Sequence, residues 1–247
     1  MLLGGADVPA TSPATPVKDK TDPNLVLYDS LESATEKAPP QRVMSVPAGA
    51  QDNVEFVPGR EGKCVHFKGP SASVKYPYTL FPFDQGTIEF WLTFDESPGT
   101  FEKKHTVLHY HAGQTWFNNY FVLFAGGEKD WGRNLYFMIC DGQAQRNHIK
   151  VSVATWKPGE WHHMALTWKL NDAGHSAMAL YLDHKLVESK SQLNIMQDKA
   201  VMDAAKDDPN YGFVWLAPPD GSASGFKVDE LRLFNVQRQY GSAPDTK

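Results

Sequence analysis

The chain has 247 residues and a formal net charge of −5, which sets up no field to draw a polyanion, so nucleic acid is not an expected partner. No apolar run approaches the length needed to cross a bilayer, and no membrane-spanning segment is expected. Hydrophobic residues are 41% and aromatics 12%, with seven Trp, so rings must supply much of the burial in a chain long enough for a proper core.

The opening "MLLGGADVPATSPATPVKDKTDP" is crowded with Pro, Ala and Thr and has no apolar period, so residues 1–23 read as a flexible tether. A tether of this composition ahead of a folded domain points to a secreted, cell-surface or periplasmic setting. From residue 24 to about 240, short apolar runs are separated by Gly, Pro, Asn and Asp. "NLVLYDSL", "CVHFKG", "GTIEFWLTF", "TVLHYH", "YFVLFAGG", "NLYFMICDG" and "KVDELRLFN" read as strands. Their even spacing predicts an all-β, two-sheet antiparallel jelly-roll sandwich. Residues 241–247 read as a flexible tail.

In "GTIEFWLTF", Ile88, Phe90, Leu92 and Phe94 share one face and form a core stripe. In "NLYFMIC", Leu135, Phe137 and Ile139 face one way and Tyr136, Met138 and Cys140 the other. Both faces are bulky, so the second lines a groove or lies under a loop. "NIMQDKAVMDAAKDD", 194–208, breaks the pattern. It spaces Ile195, Met202 and Ala205 at roughly helical intervals and is closed by Pro209, so a short helical insertion is expected there. Cys64 and Cys140 lie far apart and either pair or stay free; their spacing makes no zinc motif.

The stretch "HTVLHYHAGQTW" places His105, His109 and His111 on alternate positions, with Val107 on the same strand face. Two imidazoles at i and i+2 can share a metal, but zinc needs a third ligand that the sequence does not name. A polar strand face bordering a groove is the favoured reading. The loops "GQTWFNNYF" and "GGEKDWGRN" place Trp116, Asn119, Tyr120, Trp131 and Arg133 near turns, where exposure is expected. An exposed aromatic stacks on the C–H face of a sugar, and Asn, Arg or His binds its hydroxyl rim. These residues, with His109 and His111, are the expected ligand-binding set. Equally, the Trp side chains can clamp long loops onto the sandwich.

At "PGEWHHMALTW", 158–168, the chain resembles the laminin-G-like domains of the concanavalin A-like jelly-roll superfamily. "REGKCVHFKGPSASVKY", "GTIEFWLTF", "ALYLDHKLV" (with His184 where a glycine is usual) and "GFKVDELRLFN" follow in the family's order. The resemblance implies two curved antiparallel sheets and makes His162 and His163 a structural pair, with Trp161 and one His buried. It also implies a structural calcium ion near the chain ends, held partly by Asp229, with Asp29 approaching if the first and last strands pair. Related hydrolases carry a Glu-x-Asp-x-x-Glu strand, which is absent here, so no acid pair is nominated.

Three functions remain open. One is a non-catalytic extracellular module that binds a glycan or polysaccharide. A second is adhesion to a protein partner through the same loops. The third is a polysaccharide lyase-like enzyme using His109, His148, Tyr136 and Arg146, which supply the residue types but not that family's ordered motifs.

Overall fold

The strand-like runs become antiparallel ladders in the computed structural model, which describes residues 22–34, 41–46, 48–113, 117–127, 131–218 and 224–241. In chain order the strands are β1 (Leu25–Asp29), β2 (Val43–Ser45), β3 (Val54–Pro58), β4 (Lys63–Phe67), β5 (Ser73–Pro77), β6 (Gln85–Phe94), β7 (His105–Tyr110) and β8 (Phe121–Ala125). They continue with β9 (Asn134–Cys140), β10 (Arg146–Ser152), β11 (His162–Lys169), β12 (Ser176–Leu182), β13 (Lys185–Leu193), β14 (Phe213–Leu216) and β15 (Phe226–Phe234). One α-helix among the described residues, α1 (Lys199–Ala204), lies between β13 and β14.

One sheet runs β13-β12-β11-β6-β15-β4-β3, with β1 also paired to β15, and the other runs β10-β9-β8-β7-β14-β5-β2. The inner faces pack together as predicted by the alternation. Ile88, Phe90, Leu92 and Phe94 of β6 meet Phe121 and Leu123 of β8 and Leu135, Phe137 and Ile139 of β9 in one core. Each such side chain contributes about 1.5–3 kcal/mol on leaving water. Trp168 of β11 is buried in the same core and donates its ring N–H to the Pro82 carbonyl at 2.9 Å, which satisfies the one polar atom its burial would strand. The arrangement is the expected jelly-roll sandwich.

Two bulges redirect side chains. In β7 the register slips between Thr106 and Leu108, so Val107 and Leu108 both enter the core. His105 then faces inward against Phe101, while His109 pairs with Val122 on the outer face. The expectation that His105, Val107 and His109 share a face is therefore corrected. In β15 the register against β6 slips between Asp229 and Arg232, where Glu230 adopts φ +55°. Leu231 and Leu233 still point inward.

The helical insertion is real but shorter than its sequence pattern. Asp198 caps α1 by accepting from the Val201 amide at 3.1 Å, and Ile195 and Met202 are buried beneath it. Cys64 and Cys140 are both free and buried, on strands of different sheets. Residues 1–21 of the expected tether and 242–247 of the expected tail lie outside the described residues. Asp22, at the end of the tether, makes an ion pair with Arg238 at 2.6 Å.

Candidate functional site

The outer face of the seven-stranded sheet carries the aromatic second face seen in "NLYFMIC". Tyr136, Met138 and Cys140 of β9 cluster with Val122 and Phe124 of β8 and with Tyr120, and Phe117 and Trp131 pack onto them from the loops. Phe124 and Tyr136 stack at 5.2 Å, and Trp131 stands edge-on to both at 5.1 and 5.0 Å. The Tyr136 hydroxyl donates to the Trp131 carbonyl at 3.0 Å, and the Asn134 amide donates to the same oxygen. Trp131 is thus a half-buried ring held by two rings below and two hydrogen bonds at its backbone. Of the two sequence alternatives, a groove wall or a floor beneath loops, the second describes this face.

Ligand-set residues fall into two groups. Trp131 is half-buried and Arg133, two positions later on the β8–β9 connection, is exposed. Asn119 and Tyr120 are buried, against the expectation of exposure. Asn119, at φ +49°, donates to the Ala112 carbonyl at 2.8 Å and accepts from the Asp198 amide at 2.7 Å. Backbone groups left unpaired by the loop and the insertion both need it, so it is drawn inward. His109 and His111 are also buried, with rings 5.0 Å apart, and His111 meets the edge of Tyr211 at 4.9 Å. Trp116 lies outside the described residues. Phe117, which the sequence reading passed over, lies under the Arg146 guanidinium at 3.9 Å. Its position next to Trp116 in "TWFNNY" was the available signal.

The lyase-like set is only partly assembled. The His148 ring is 5.8 Å from Tyr136, but the Tyr136 ring is buried and its hydroxyl serves Trp131. Arg146 covers Phe117, and His109 stands against Tyr120 at 5.3 Å. Burial, then the neighbouring Lys190 and Lys150, holds His148 below the usual histidine range.

The calcium expectation can be tested on its two carboxylates. Strands β1 and β15 do pair, as that expectation required. Asp29 is buried, however, and spends both oxygens inside the protein. Oδ1 accepts from Arg42 at 3.0 Å and from the Leu31 amide at 2.9 Å, and Oδ2 accepts from the Tyr76 hydroxyl at 2.7 Å. Asp229 Oδ2 accepts from the Arg60 and Glu61 amides at 2.8 and 3.0 Å, while Oδ1 is buried with no hydrogen-bond partner. Burial is the main cause that pushes the Asp229 carboxyl up to about 7. Among the described residues no group of three or more His, Cys, Asp or Glu is placed to hold a metal ion. These residues do not fit a calcium ion shared by Asp29 and Asp229, nor a zinc ion at His109 and His111.

The other sheet's outer face carries a polar seam. His162 and His163 point to opposite sides of β11, yet both are buried where one was expected to be, and Trp161 is half-buried. His162 stacks on Trp156 at 3.9 Å and bonds Asp183 at 2.9 Å. His163 stacks on His184 at 4.1 Å, beside the buried Glu89. This agrees with a structural role for the pair.

Solved structures sharing this architecture include toxin binding domains. The receptor-binding domain of a botulinum neurotoxin C/D mosaic serotype has TM-score 0.58 at 7% identity, covering 87% of this chain and 49% of that one. The binding domain of Paraclostridial Mosquitocidal Protein 1 has TM-score 0.57 at 14% identity, covering 87% and 50%. The binding domain of botulinum neurotoxin DC, solved in complex with SialylT, has TM-score 0.54 at 11% identity, covering 80% and 43%. The chain spans about half the length of these structures, and at such identities the likeness is one of fold. No curated protein matches it. The sequence pattern of Laminin_G_3 matches residues 68–239, more than half of the chain, which therefore belongs to that family of the Concanavalin A-like lectin/glucanases superfamily.

Proposed function

We propose that this chain is a non-catalytic extracellular binding module whose ligand is a glycan, taken at the loop end of the sandwich where Trp131 and Arg133 stand. The observation that carries the reading is the braced Trp131 ring. Two rings and two hydrogen bonds hold it, yet part of its surface remains open, and Arg133 two positions later is exposed. A rigid, partly exposed indole stacks on a sugar at little cost in side-chain entropy, and an adjacent guanidinium supplies hydroxyl or carboxylate contacts. Similarity to toxin binding domains, one of them solved with SialylT, supports the same reading.

Affinity electrophoresis through gels of neutral and acidic polysaccharides tests it. Retardation in at least one gel is expected, with the polymer left intact, and Trp131→Ala should weaken it about tenfold or more, the scale of one lost stacking contact. Unchanged mobility in every gel overturns the glycan reading and favours a protein partner.

A further inference from the structure

The helical insertion does more than bury Ile195 and Met202. It is strapped at both ends to the β5–β6 connection. Lys199, the first residue of α1, donates to Asp84 Oδ2 at 3.1 Å, and the Tyr78 hydroxyl donates to Asp203 near the end of the helix. These two contacts frame an open cleft of about 240 Å³ lined by Tyr78, Phe81, Phe83 and Met202. The connection is held firmly. The Tyr78 amide donates to the Gly212 carbonyl at 3.0 Å, the Leu170 amide to the Asp84 carbonyl at 2.7 Å, and the Trp168 ring N–H to the Pro82 carbonyl at 2.9 Å. The Phe83 ring lies 6.2 Å from Tyr78 and 6.0 Å from Phe81, tilted by 33° and 31°. The buried Tyr110 packs against Tyr78 and Phe83 at 5.7 and 4.9 Å, so the rings are fixed before any ligand arrives.

Most polar groups of the cleft are already spent. Asp84 Oδ1 accepts from the Asn171 side-chain amide at 2.7 Å and Oδ2 from Lys199, which balances that ammonium. One oxygen of Asp203 accepts from Tyr78. Burial, then Asp203 itself, pushes the Tyr78 hydroxyl up to about 12, so it remains a donor to that carboxylate. Asp203 is exposed and, among the described residues, forms no ion pair. One uncompensated negative charge therefore stands beside three aromatic rings and a thioether. An anion is repelled by that charge, and the one cation of the lining is balanced. A sugar or a primary ammonium wants several hydrogen-bond partners, and this lining has few left to give. An uncharged hydrocarbon gains nothing from the carboxylate. A quaternary ammonium needs no hydrogen bond, carries its charge on an apolar surface, and is attracted by aromatic rings and a carboxylate alike.

We propose that this cleft binds a small quaternary ammonium group, with Asp203 as its counter-charge and Tyr78, Phe81 and Phe83 as its aromatic walls. The volume lies below the usual range for drug-sized sites, about 300–1,000 Å³, which suits a trimethylammonium group on a short tail. The site is separate from the Trp131 loop. Trp131 belongs to the β8–β9 connection, whereas the cleft is built by the β5–β6 connection and the insertion. The proposal therefore stands or falls apart from the glycan reading. It also gives the insertion a use, because α1 supplies Lys199, Met202 and Asp203 as one wall.

The test is a titration of the full ¹⁵N-labelled chain with choline and, in parallel, with dimethylbutanol, the uncharged carbon isostere of choline. Saturable shifts of the Thr79, Phe81, Asp84 and Asp203 amides are expected with choline, at an affinity about tenfold or more above that for the alcohol. Asp203→Asn keeps an acceptor for Tyr78 and removes the charge. It should weaken choline about tenfold and leave the alcohol unchanged. Phe81→Leu keeps an apolar side chain and removes a ring, and should weaken choline about fivefold. If Phe81→Leu does not fold, the exposed Asp203→Asn position carries the test alone. Equal affinity for choline and the alcohol means plain apolar contact and overturns the proposal. Silence of the cleft amides overturns it too, as does an Asp203→Asn chain that binds choline like wild type. Cosedimentation with phosphatidylcholine vesicles separates the two sources of the group. Vesicle binding alongside the choline response places it on a lipid headgroup, and a choline response alone places it on a soluble compound; both uphold the site.

Discussion

Tyr240 donates its hydroxyl to the buried carboxylate of Glu89, 151 positions earlier in the chain. Tyr240 is itself buried, and its ring packs edge-on to Tyr181 at 5.2 Å. The contact pins the C-terminal segment across the outer face of the eight-stranded sheet. Thr87 fastens the same segment by donating to the Val236 carbonyl at 2.7 Å and accepting from the Arg238 amide at 2.9 Å.

Removing the hydroxyl strands an acceptor with weak alternatives, because Arg232 and His163 approach Glu89 only to 3.9 and 3.8 Å. Tyr240→Phe should therefore cost about 1–3 kcal/mol in urea unfolding. A double-mutant cycle with Glu89→Gln should show coupling of the two positions, and strict additivity would refute the contact's importance.

Asp229 and His163 should give opposite pH signatures. The folded Asp229 carboxyl sits at about 7 against an ordinary 3.8, with burial the main cause, so the folded state holds the proton more tightly. Its contribution is fully present below 3.8 and is lost as pH rises through 7. Asp229→Asn should flatten that loss and gain on the order of 2 kcal/mol relative to wild type above neutrality. His163 is held by burial down to about 3 from 6.5, so its contribution is present above 6.5 and is lost as pH falls towards 3. Chemical unfolding at fixed temperature across this range, on wild type and both single variants (His163→Gln for the second), separates the two slopes.

Asn119 should be intolerant of substitution despite sitting in a loop. Its side chain satisfies one buried carbonyl and one amide, and its φ of +49° suits Asn better than most residues. Asn119→Ala should cost about 2–4 kcal/mol and lower Tm by roughly 5 °C or more. Differential scanning calorimetry would read the shift.

Calcium chelation should leave Tm unchanged, because both Asp29 oxygens are already engaged and, among the described residues, no group of three or more His, Cys, Asp or Glu is placed to hold an ion. Arg42→Ala, in contrast, leaves the buried Asp29 charge without its cation and should cost about 3–5 kcal/mol. A melting curve that drops on chelation would overturn the first expectation, and an unaltered Arg42→Ala curve the second.

Strand alternation made most of the architecture legible. The core stripe of β6, the two-faced β9 and the family strings around "EWHHMALTW" and "VDELRLF" could all be placed by eye, because a strand's side-chain period is local. The site was less legible. Trp131 and Arg133 were named correctly as residues near a turn, but Asn119 and Tyr120 look the same in sequence and are buried. Nothing in "FEKKH" signals that Phe101 and His105 stack.

The sequence by itself determined the all-β class, the strand positions, the helical insertion and the family resemblance. All of these follow from period, turn residues and short ordered motifs within one stretch of chain. The tertiary structure decided which face each histidine takes, which loop residues are covered and how the buried acids are spent. A one-residue bulge in β7 turned His105 away from His109, and Arg42 and Tyr76 claimed Asp29. Such outcomes depend on pairing between distant segments. Burial then forces each stranded polar group to find whatever partner the fold brings near.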